Sequence, residues 1–175
     1  DSPALFLGIS IAYLEASQII WQAEFSGKAP LQWNIALLFH PLSSLFGIAI
    51  ETAMKGLLSC RGHDTPRSHD LVDLLERIQT ADLRCTINKS IENLCVPDDL
   101  IELNRSFDRS DVESAYRGID FHIDILNKLY DRPFAARYPV LGGHSLPDPM
   151  ALRPIAQILQ RQLQDEINAR RGLGQ

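Results

Sequence analysis

Apolar residues at positions 42, 45, 46, 49, 50, 53, 54, 57 and 58 recur three and four apart. This is the spacing of one face of a helix, and over so long a run it predicts a single amphipathic helix with a wide stripe turned to a core. Glu51 and Lys55, spaced i and i+4, are expected to share the opposite face. The polar turn Arg61-Gly62-His63 follows, and Ser68 is then expected to cap a second helix through Leu71, Val72, Leu74, Leu75 and Ile78, with Asp70 in its first turn.

The rest of the chain reads in the same period. Ser2 and Pro3 suit an N-cap and first helical position, opening a helix to about Phe25 that Ser26-Gly27-Lys28-Ala29-Pro30 ends. A segment starting near Leu31 meets Pro41, which is expected to kink or break it. Residues 81–97 show no clear period and read as a short helix or an irregular connection, and Pro97-Asp98-Asp99 opens a short helix through Asn104. Ser110 and Glu113 have the spacing of a capping box, predicting a helix to about Tyr130. Residues 131–149 hold four prolines and two glycines and read as a long loop. Ile155, Ile158, Leu159, Leu163 and Ile167 then form the stripe of a final helix. No strand alternation, internal repeat or glycine-rich phosphate loop interrupts this pattern, so the fold class is all-α, an up-and-down bundle of five or six main helices. It is expected to be one domain over 1–175, with a core bundle at 31–170 and an additional N-terminal helix at 1–26.

At 175 residues, 45% apolar and 22% charged, the composition is that of an ordinary globular domain. A net charge of -5 argues against a broad phosphate-binding face, although it leaves room for a local basic cleft. Cys60, Cys85 and Cys95 are odd in number and lack CxxC spacing, which indicates neither a disulfide framework nor a zinc site and fits a reducing cytoplasm. No metal or cofactor is expected. The apolar stretch from Ala4 to Ile20 is interrupted by Ser10, Glu15, Ser17 and Gln18, so a buried helix is preferred to a membrane span or signal sequence. The chain opens on Asp1, which leaves the start of the natural protein undetermined.

Glu51 and Lys55 on a Leu/Ala-rich helix, a glycine-containing turn, the Ser68-His69-Asp70-Leu71 helix start and Ala136-Arg137-Tyr138-Pro139 before the last helix together resemble the HEPN family over roughly residues 42–170. The resemblance implies a helical bundle that dimerises. It also implies an RNA or nucleotide ligand, or a nucleotidyltransferase-type partner protein, in a toxin-antitoxin or defence setting. Ribonuclease members carry Arg, four to six residues, then His, and Arg117 and His122 have that spacing. Two departures weaken the match. Gly118 replaces the usual polar residue after Arg, and the pair precedes the Arg-Tyr-Pro element, whereas the final helix has no histidine. On one helix the two side chains would also stand about 140° apart, requiring a kink or a dimer cleft to converge. A surface or core-edge role is therefore favoured for them over catalysis.

Two other constellations invite a functional reading. Arg61, His63, Arg67 and His69 surround one turn, where they suit a phosphate or nucleotide beside free helix amides. The plainer reading is that His69 and Asp70 fix the turn while Arg61 meets the last carbonyls of the preceding helix. Glu51, Lys55, Arg137 and Tyr138 suggest a structural polar network, with Arg137 docking on the Glu51 carboxylate. His40 and His144 have no partners at ligand spacing, and Trp21 and Trp33 read as core packing. A non-catalytic HEPN-like module is thus the leading expectation. A metal-independent ribonuclease using Arg117 and His122 is the alternative, and a protein adaptor without a nucleic-acid role is the third.

Overall fold

A computed structural model describes residues 2–25, 35–130 and 147–173. Among these residues the chain forms eight helices and no strand: α1 (Pro3–Phe25), α2 (Ile35–Cys60), α3 (Leu71–Ile78), α4 (Ala81–Ile91), α5 (Asp98–Leu103), α6 (Arg109–Tyr116), α7 (Ile119–Tyr130) and α8 (Pro149–Leu173). This is an all-α helical bundle. The long helices α1, α2 and α8 pack against one another, while α3 and α7 close a second side of α2 and α4 packs on α8.

The apolar stripe of α2 lies at the centre: Ala49, Ile50, Ala53, Met54 and Leu57 are wholly buried. Glu51 and Lys55 do not occupy a solvent face. They are only 5% and 9% exposed, because α3 and α7 cover the side of α2 that periodicity alone assigns to water. Pro41 does not break α2, whose helix is continuous from Ile35 to Cys60. The residue is exposed and lies in the second turn, so the helix continues past one missing backbone hydrogen bond.

Local capping corrects three further boundaries. Asp70, rather than Ser68, caps α3, its carboxylate accepting from the Val72 and Asp73 amides, while the Ser68 hydroxyl accepts from the Asp70 amide. Ser110 lies inside α6 and Asp108 occupies the cap position, so the expected box with Glu113 does not form; Glu113 instead receives Arg109 at 2.8 Å. The helix expected to reach Tyr130 is split at Arg117-Gly118, and the Ile119 amide that opens α7 is bound by the Asn88 side chain of α4 at 3.0 Å.

The N-terminal helix departs most from expectation. It is attached by Leu7 and Leu14 in the common core and by Ser10, whose hydroxyl donates to the Ala49 carbonyl at 2.6 Å and accepts from Gln160 at 2.9 Å. Yet α1 is not a buried helix: over its most apolar window only 22% is buried. By length and composition α1 alone, among the described helices, is apolar enough to cross a membrane.

Candidate functional site

The Glu51 carboxylate is the centre of a polar cluster that joins three partners. Lys55 lies one turn on, its Nζ 2.7 Å from Oε1. His69, in the turn before α3, brings Nδ1 to 3.0 Å from the same oxygen, so that nitrogen carries the hydrogen. Tyr130, the last residue of α7, donates its hydroxyl to Oε2. Burial alone would raise the Glu51 pKa, but the bonds from Lys55, Tyr130 and His69 outweigh it and hold the carboxyl below its ordinary value. Burial, and then the neighbouring carboxylate, push the Tyr130 phenol upward. The Tyr130 ring lies against Gly47, where a Cβ would overlap it. The arrangement is consistent with a structural network that orders three elements, although the His69 ring remains 64% exposed.

The four residues of the 61–69 turn do not converge. The Arg61 guanidinium turns inward, with Nη2 2.7 Å from Glu166 of α8 and Nη1 donating to the Ile78 carbonyl at the end of α3. From sequence it is expected to meet the last carbonyls of the preceding helix; instead it meets the end of the following one, α3. His69 turns to Glu51, while His63 and Arg67 remain exposed. Asp70 is held by a residue that sequence reading missed, Asn127 of α7, whose amide donates to its carboxylate at 3.1 Å while its oxygen accepts the Leu71 amide at 2.8 Å.

Arg117 and His122 are also divided, by the break between α6 and α7. Arg117 borders an open groove of about 650 Å³ between α4 and α6, together with Lys89, Glu92 and Glu113. One guanidinium nitrogen is 3.7 Å from Glu113, and Nε is buried without a partner. His122 does not line that groove. Its ring is 1% exposed, edge-on to Tyr116 and Phe121 at centroid distances of 5.0 and 5.3 Å. It donates to the Tyr116 carbonyl, leaving Nε2 unpartnered. Burial drives the His122 pKa down, against smaller upward effects of that bond and of Asp148. Asp148 binds the Tyr116 hydroxyl at 2.7 Å and caps α8 through the Met150 amide at 2.8 Å, fixing this corner.

Arg137, Tyr138, His144 and Trp33 lie outside the described residues, as does the His40 side chain. Among the described residues no three His, Cys, Asp or Glu side chains are grouped to hold a metal ion. Comparison with protein-family models, curated proteins and solved structures gives no match.

Proposed function

We propose that this chain is a non-catalytic HEPN-like module that works by binding a partner protein. The observation that carries this reading is the placement of Arg117 and His122: one at an open groove beside Glu113, the other in the core, 1% exposed. An acid-base histidine must reach the proton it transfers, and a phosphate-steadying arginine must face the same substrate. Four cationic groups elsewhere are paired with carboxylates: Arg61 with Glu166, Arg77 with Asp73, Arg84 with Asp120 and Lys128 with Asp124. Together with the net charge of -5, this favours a protein partner over a broad RNA surface. A nucleotidyltransferase-type partner in a toxin-antitoxin or defence setting is the family-based form of the proposal, with the cytoplasm as its compartment.

The test is metal-free incubation of the protein and its Arg117→Ala and His122→Ala variants with a mixed RNA pool, with cleavage read on a gel and binding by fluorescence anisotropy. No cleavage, and only weak salt-sensitive binding, is expected. Cleavage by the parent that both substitutions abolish, with melting of Arg117→Ala unchanged, would replace this reading with the ribonuclease.

A further inference from the structure

Two neighbouring helices are scarcely packed into the bundle. Among the described helices α5 packs only on α6, and α6 packs only on α5 and α7. α3 and α6 have the same length, yet α3 buries Leu71, Leu74, Leu75 and Ile78, whereas α6 buries Tyr116 alone and α5 buries nothing. The stretch is not short of apolar side chains. Val96, Leu100, Ile101, Leu103, Phe107 and Val112 all fall in it, and none of them is buried. Leu103 is 79% and Phe107 67% exposed. Ile101, Phe107 and Val112 line an open groove of about 570 Å³, together with Glu102, Arg105 and Arg109. Helices of one or two turns draw their stability from packing rather than from propensity, and the single chain supplies little of it here.

Charge selects the occupant. Residues 92–113 hold seven carboxylates and two arginines, so the whole net charge of -5 lies in this stretch and the rest of the chain is balanced. Six of the seven carboxylates are exposed, and the seventh, Glu113, is half-buried. Arg109 does not reverse the sign, because Glu113 accepts it at 2.8 Å and Asp98 also acts on it. Glu102 lines the groove itself, inside the Debye length of about 8 Å for a docked cation. A nucleic acid or an anionic lipid surface would meet like charge here, and so would a second copy of the chain.

We propose that the α5–α6 groove docks a basic, apolar segment of a partner protein, with Leu103 and Phe107 as its anchors and the surrounding carboxylates facing the partner's Lys or Arg. The proposal rests on the binding-module reading and assigns that module its surface. Exposed aromatic and aliphatic side chains supply the contact area, while the acidic rim sets the partner's sign and speeds encounter.

Fluorescence anisotropy of the full chain with a labelled synthetic peptide, an amphipathic helix of Leu and Lys with one Trp, reads the outcome. Micromolar binding that weakens as salt rises is expected, and the same peptide with Glu in place of every Lys should not bind. The double variant Leu103→Ser, Phe107→Ser keeps every charge and is expected to lose affinity roughly tenfold with an undiminished melting temperature, since both side chains are exposed. Glu102→Gln with Asp108→Asn should lower both the affinity and its salt dependence. No binding by the parent overturns the proposal. So does equal binding of the Glu peptide, or equal binding of the Lys peptide by the Leu103→Ser, Phe107→Ser variant. RNA cleavage decides the binding-module reading separately: a failed peptide titration with uncleaved RNA removes this surface and leaves that reading in place.

Discussion

Replacing Glu51 with Ala removes the acceptor shared by Lys55, Tyr130 and His69. The cost follows from what is left behind. The Lys55 side chain is 11% exposed, so its ammonium stays largely out of water without a counter-charge, and the Tyr130 hydroxyl loses its acceptor. His69 contributes little, since its exposed ring can turn to solvent. Breaking one partner of a buried pair costs about 3–5 kcal/mol. For a chain of this size each kcal/mol lowers the melting temperature by roughly 2–4 °C, giving a fall of about 6–20 °C. Urea unfolding followed by circular dichroism at pH 7 measures it.

The double variant Glu51→Leu, Lys55→Met separates the explanations. It removes both charges and refills much of their volume, so it should recover at least half of the loss, because the penalty belongs to the orphaned charge. A pH series adds the sign. The Glu51 pKa is lowered in the folded state, so its contribution is present above the ordinary value of 4.5 and is lost as pH falls through the lower folded value. The gap between Glu51→Ala and the parent should therefore narrow in strong acid. A loss below about 1 kcal/mol at pH 7 would mean a network screened like an exposed surface pair, and a double variant no better than the single would refute the orphaned-charge argument.

His122 gives a second pH effect. Its folded pKa lies below 6.5, so the neutral ring's contribution is present above 6.5 and declines as pH falls from 6.5 towards the folded value; His122→Leu should flatten urea midpoints between pH 7.5 and 5.5. An unchanged slope would place the acid sensitivity elsewhere. At Gly47, Ala would drive a Cβ into a Tyr130 ring held by its hydroxyl, an overpacking cost of about 1–3 kcal/mol against a helix gain of about 1 kcal/mol. Net destabilisation by thermal melting is expected, and a more stable Gly47→Ala would show that the ring yields freely.

Interactions within one helix were the most legible in the sequence. Glu51 and Lys55 could be paired on paper because i and i+4 meet on any helix. Their burial could not, since it depends on α3 and α7, and Tyr130 stands 79 residues from Glu51. The α3 start illustrates the same limit. Ser68 and Asp70 are both good caps, and the choice between them is reinforced by Asn127, 57 residues away, which holds the Asp70 carboxylate. The break at Gly118 depends in part on Asn88, whose side chain takes the Ile119 amide. Composition failed at α1 for another reason: its few polar residues are spread around the helix and two of them, Ser10 and Ser17, are buried, so no period tells a core face from an outward one.

The binding-module reading depends on polar groups: Arg117 and His122 are divided by the α6–α7 break, and Arg61 and His69 are bound to carboxylates. RNA cleavage by the parent that Arg117→Ala and His122→Ala both abolish would overturn it, because Arg117 borders the groove between α4 and α6 while His122 is buried away from it.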